Sequence, residues 1–123
     1  MDKNFTGLCM VNLADFDSRY GHTRDLEGYA HSIEELDVDI PIILNKLELD
    51  DLLIITADHG NDPTFKGNDH TRENVPVIIF SRSFKEPKRL KILDTMADIA
   101  ATIADNFEIE LDTMGTSFLE ELK

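Results

Sequence analysis

Three of the four histidines in this chain stand beside acidic residues in segments rich in turn formers. His22 closes the run Asp15-Phe16-Asp17-Ser18-Arg19-Tyr20-Gly21-His22. His59 lies in Thr56-Ala57-Asp58-His59-Gly60-Asn61-Asp62, and His70 in Asn68-Asp69-His70-Thr71-Arg72. Imidazole nitrogen and carboxylate oxygen together make a mixed donor set, which suits zinc, manganese or iron better than calcium. Adjacent Asp58 and His59 reach one ion only if the backbone bends sharply, and Gly60 permits a bend. They could instead serve two ions about 4 Å apart, the spacing of two-metal phosphoryl-transfer sites. One such pair alone reads as a surface or capping feature. Three clusters, two of them at consecutive strand ends, favour a metal site with Asp17, His22, Asp58, His59 and His70 as candidate ligands. Arg24 and Arg72 could grip a substrate phosphate, because a guanidinium fork matches phosphate oxygens. They could equally balance local carboxylates. Asp15, Asp62 and Asp69 suit turn caps, and His31, at the start of a helical pattern, suits a structural or solvated role.

The elements that must position these residues are short. Gly7 to Ala14 is an apolar run without helical spacing and predicts a buried strand, with Cys9 buried inside it. Asp15 to Arg24 is a polar turn region. Ile33, Leu36, Ile40, Ile43, Leu44 and Leu47 recur at steps of three and four, predicting an amphipathic helix that Pro41 should kink or break. Leu52 to Ala57 predicts a central strand buried on both faces. Val75 to Phe80 predicts a third strand, Asp94 to Phe107 a helix, and Ser117 to Leu122 a last short helix. Strand, helix and strand form a βαβ unit, so the first two strands should be parallel. The segment 58–74 holds two glycines, a proline and three asparagines but no helix. A parallel return needs a crossover, so the third strand should run antiparallel to the second. Both ends of that loop then meet at one sheet edge. Ligands bind outside the carboxyl ends of strands in open α/β sheets, and the antiparallel return brings His70 back to that edge.

The chain has 123 residues and a formal net charge of −13, with 25 acidic against 12 basic residues. Phosphate backbones and anionic membranes would be repelled, so neither nucleic acid nor membrane is an expected partner. The acidity suits either cation binding or plain solubility. A single cysteine excludes an internal disulfide and suits a cytoplasmic location. No signal-peptide pattern opens the sequence, and the apolar runs fall short of the ~20 residues a membrane helix needs.

Several runs together resemble bacterial phosphopentomutase, in the alkaline phosphatase superfamily. They are Asn12-Leu13-Ala14-Asp15-Phe16-Asp17, Tyr20-Gly21-His22-Thr23-Arg24-Asp25, Ile54 to Thr64, and Asp69-His70-Thr71-Arg72-Glu73. Ala97 to Ala104 and Gly115 to Leu119 extend the likeness from about Phe5 to Leu122. The resemblance implies interconversion of ribose or deoxyribose 1-phosphate and 5-phosphate, a pair of manganese ions, a phosphorylated threonine and priming by a sugar bisphosphate. By motif match, Asp17, His22 and His70 would hold one ion and Asp58 and His59 the other. It also implies a partial alkaline-phosphatase-like α/β sheet, two parallel strands plus an antiparallel one, flanked by helices. Residues 1–123 would form a single domain, the C-terminal part of the catalytic core. The cap domain, a further metal-binding aspartate and the threonine nucleophile find no match here. The expectation is therefore a mutase fragment inert by itself, which could self-associate or need the missing N-terminal portion. A metal-dependent phosphohydrolase and a non-catalytic metal-binding domain are the competing readings.

Overall fold

The computed structural model describes residues 5–123. The chain forms two compact units, Met1–Arg82 and Ser83–Lys123.

In the first unit, a π-helical turn at Phe16–Gly21 leads into helix α1, Leu26–Lys46. Asp25 starts α1, its carboxylate accepting from the Gly28 N–H at 2.9 Å and satisfying one of the free first-turn donors. The helix runs unbroken through Pro41, so of the expected kink or break the break does not occur. Proline deprives the Asp37 carbonyl of its helical donor, but Asp37 is exposed, so water can take that place. At the far end, the Arg82 guanidinium donates to the Leu44 and Asn45 carbonyls, both at 3.3 Å. It thereby supplies donors that the last turn of a helix lacks.

Strands β1, Leu53–Thr56, and β2, Val77–Phe80, pair antiparallel with Leu53 opposite Phe80 and Thr56 opposite Val77. The antiparallel return inferred from the missing crossover is present. The parallel partner is not. Residues 7–14 form no strand; Leu8, Met10, Val11 and Leu13 are exposed, as is Cys9. This corrects the buried first strand and the buried thiol in this chain, and the expected parallel pair is not seen among the described residues. A strand needs a neighbouring backbone to satisfy its N–H and C=O groups, and no described residue pairs with this segment. For the same reason β1 has one neighbour and is half-buried, not sandwiched. Helix α1 buries no residue fully and leaves Ile33, Val38 and Ile42 exposed.

In the second unit, helix α2 spans Ala97–Asn106, and the short C-terminal helix is a 3-10 turn at Leu119–Leu122. Phe118 and Thr102 are almost fully buried. The Thr102 hydroxyl donates to the Asp98 carbonyl at 2.7 Å and accepts from the Phe118 N–H at 3.0 Å. The Asp98 carboxylate accepts from the backbone N–H groups of Asp94, Thr95 and Thr116.

Candidate metal centre

The π turn explains why Asp17 and His22 face the same way. In an α-helix residues five apart point about 140° from one another. Here the His22 N–H closes onto the Asp17 carbonyl at 3.0 Å, a five-residue span, and the wider turn brings the two side chains together. Asp17 Oδ2 lies 3.3 Å from His22 Nε2. Composition alone marked this stretch as a polar turn, because π turns leave no simple periodic signal.

The loop between β1 and β2 supplies the rest. The Thr71 N–H donates to the Gly60 carbonyl at 3.1 Å, and the two residues form an isolated antiparallel bridge. Gly60 is needed for this close approach: a Cβ there would overlap the Glu73 carboxylate and crowd the Thr71 carbonyl. The bridge zips the loop and carries His70 back to His59. The two imidazoles stack at 3.8 Å between centroids, and His22 lies beside His70 at 4.8 Å.

His70 Nε2 is 3.3 Å from Asp17 Oδ1 and 3.1 Å from His22 Nε2. Two ligand atoms each about 2.1 Å from a shared tetrahedral ion stand about 3.4 Å apart, so each of these contacts has the length of a ligand pair, with one Asp17 oxygen facing each histidine. Asp17, His59 and His70 form a wider set, with one donor atom from each within 4.8 Å of the others. The Nδ1 atoms of His22 and His59 face the carbonyls of Asn68 at 2.5 Å and Gly60 at 3.2 Å. A proton on each Nδ1 leaves the Nε2 lone pair for a cation, the arrangement by which backbone acceptors orient metal-binding histidines. The donor set and its spacing fit a divalent transition-metal ion.

Asn61 went unnoticed among the residues flanking His59, yet its side-chain N–H donates to Asp17 Oδ1 at 2.7 Å. Burial alone would raise the Asp17 pKa. The Asn61 hydrogen bond and the neighbouring His22, His70 and His59 outweigh burial and hold the carboxyl below its ordinary value. Gly21 leaves room for the Asn61 amide, which a Cβ would overlap. A short amide beside a histidine-aspartate pair was the available signal, although amides are equally common in turns.

The remaining candidates stand apart from this knot. Asp58 is highly exposed, its Oδ1 3.7 Å from His59 Nε2. Arg72 is exposed, with no hydrogen-bond or ion-pair partner among the described residues. Arg24, expected to reach a phosphate or balance carboxylates, instead turns its guanidinium onto the loop and bonds four backbone carbonyls and the Asn61 amide oxygen. His31 sits on α1 near Glu35, at 3.4 Å, away from the other histidines. A cleft of about 240 Å³ opens beside His59, with Tyr29, Asn61 and Glu73 in its wall.

This α/β unit gathers histidine and carboxylate donors from its π turn and its inter-strand loop, the donor set of a metal-binding domain. The metalloenzyme superfamily profile matches residues 1–111, most of the chain, and the chain belongs to that superfamily. It is 56% identical over 124 residues to a phosphopentomutase of Clostridium botulinum, strain Alaska E43 / Type E3. It is 54% identical, again over 124 residues, to a phosphopentomutase of Clostridium tetani, strain Massachusetts / E88. Each alignment covers 99% of this chain and 31% of the relative, so the chain spans about a third of the length of the curated relatives it matches. Among the described residues, no helix is long and apolar enough to cross a membrane.

Proposed function

We propose that this chain is the metal-binding part of a phosphopentomutase, an isomerase that moves phosphate between the 1- and 5-positions of ribose or deoxyribose. The observation that carries the reading is the convergence of Asp17, His22 and His70, from segments far apart in sequence, at mutual distances of 3.1–3.3 Å. Identity above half to two phosphopentomutases along nearly the whole chain supports the particular enzyme.

In this reading Asp17, His22 and His70 hold one divalent manganese ion, and Asp58 with His59 contributes to a second. Phosphoryl transfer demands positioning and charge neutralisation more than bond-forming side chains. Bound metal would polarise phosphate oxygens and lower the pKa of a coordinated hydroxyl. The chain's own residues supply the frame. The Asn61 amide orients Asp17, and the carbonyls of Asn68 and Gly60 set the rings of His22 and His59. Arg72, exposed one residue from Thr71 and two from His70, is the guanidinium placed to meet a substrate phosphate.

The exposed apolar residues 7–14 support an addition to the fold. With the rest of the enzyme present, this segment joins the sheet as the strand parallel to β1, and residues 1–123 form part of one catalytic core. The isolated chain is expected to self-associate through such surfaces. The unpaired Cys9 suits the reducing cytoplasm.

Two measurements test the proposal. Manganese titration followed by electron paramagnetic resonance should give saturable binding that Asp17→Ala strongly weakens. Binding indifferent to Asp17→Ala would reject the assignment. A ribose-phosphate isomerisation assay with manganese and a sugar bisphosphate should give no turnover from this chain alone, because no threonine here sits in the nucleophile's motif. Turnover above that of a metal-ligand variant would overturn this expectation. Phosphate release from a generic phosphoester would favour a phosphohydrolase, and tight metal binding without phosphoester chemistry a non-catalytic domain.

A further inference from the structure

We propose that Arg24 is a positioning residue: its guanidinium ties the loop 61–69 to the π turn and so sets the distance between His22 and His70. The inference rests on the metal reading above and deepens it.

The wiring is specific. Nη1 donates to the Gly21 carbonyl at 3.0 Å and the Asp62 carbonyl at 2.9 Å, and also bonds the Asn61 amide oxygen. Nη2 donates to the Asp69 carbonyl at 2.6 Å, and Nε bonds the Gly67 carbonyl. One end of this array is the residue before His22 and the other is the residue before His70. Between them, Asn61 is held by Arg24 through its oxygen and turns its N–H groups to Asp17. A single side chain is thus one bond from the backbone of two histidines and one side chain from the aspartate.

The backbone adds a second observation. Arg24 has φ 59°, the left-handed region that a glycine adopts more easily. An arginine there carries a conformational cost that glycine would largely remove. The five acceptors around its guanidinium are a reason for arginine at this position. With Nε, Nη1 and Nη2 all engaged, little donor capacity remains for a phosphate.

The test compares Arg24→Gly, which relieves the backbone while removing the clamp, with Arg24→Lys, which keeps the charge but loses the fork, and with Arg72→Ala. Manganese affinity is read by paramagnetic resonance. The His22 tautomer is read by nitrogen-15 NMR on the metal-free chain, and inorganic phosphate is titrated into the manganese-saturated protein. Both Arg24 variants should weaken manganese about ten- to a hundredfold, as losses of ligand-orienting groups do, and should mix the His22 tautomers. Guanidinium ion at non-denaturing concentration should partly restore Arg24→Gly. Arg72→Ala should leave manganese affinity unchanged. Unchanged manganese affinity and tautomer in both Arg24 variants, or a loss confined to phosphate, would overturn the proposal. If the unaltered chain binds no manganese, the metal reading fails, while the tautomer comparison in the metal-free chain still decides the role of Arg24.

Discussion

Each unit of this chain ties its loops with one charged side chain, and the two ties end differently. In the first unit a cation, Arg24, donates to carbonyls of a long loop. In the second an anion, Asp98, accepts from the backbone N–H groups of Asp94, Thr95 and Thr116. Around Asp98 the neighbouring polar groups are used up on one another: Thr102 is buried and bonded on both sides. Around Arg24 the backbone is satisfied, but Asp17, His22 and His70 face one another with half-exposed, cation-ready atoms. A polar network with every group internally satisfied is a structural device. One that converges several lone pairs leaves work for a ligand.

That contrast breaks most visibly at Asp17. Asp17→Ala should lower manganese affinity by more than about 100-fold, beyond the range for orienting groups alone, and the resonance titration above measures it. Unfolding of the second unit should be unaffected. Thr102→Val is the reciprocal case. It preserves shape but strands the buried Phe118 N–H, so the second unit should lose about 1–3 kcal/mol in denaturant unfolding with manganese affinity unchanged.

A smaller effect concerns acid. The Thr116 N–H holds the Asp98 carboxyl below its ordinary value of 3.8, against the opposing effect of burial. The N–H groups of Thr95 and Asp94 and the charge of Lys91 assist it. The folded carboxyl therefore titrates below the unfolded one. Its stabilisation is complete above the unfolded value and is lost as pH falls through the folded one. Stability of the second unit should decline in that acid window, and Asp98→Asn should flatten the decline. An unchanged slope in acid unfolding curves of the variant would refute this. The smallest expected effect is at His31, exposed on α1 beside Glu35. His31→Gln should leave both manganese affinity and unfolding unchanged, and a loss of metal there would mean that the centre extends beyond the knot.

Much of this site was legible before any coordinates. The absence of a helical crossover in the segment 58–74 implied an antiparallel return, and β1 and β2 pair that way. Such a return necessarily carries His70 back toward His59. The supports were not legible. Asn61 and Arg24 look like ordinary loop and surface residues, because hydrogen bonds spanning 37 to 45 positions leave no periodic trace. Gly60 was expected to permit a bend, whereas it provides space for Thr71 and Glu73. The apolar segment 7–14 has strand composition, but a strand also needs a partner backbone. Of the kink or break expected at Pro41, the break does not occur, because propensity ignores how readily an exposed carbonyl is hydrated.

The amino-acid sequence determined the local matters: which residues carry donor atoms, where α2, β1, β2 and the body of α1 form, though not that α1 begins as early as Leu26, and that the inter-strand loop doubles back. These follow from side-chain chemistry and short-range periodicity. Only the tertiary structure decided that Asp17, His22 and His70 meet within 3.3 Å, that Arg24 faces the loop, and that residues 7–14 stand unpaired. Those outcomes depend on which distant backbone groups meet to satisfy one another, and composition does not encode that meeting.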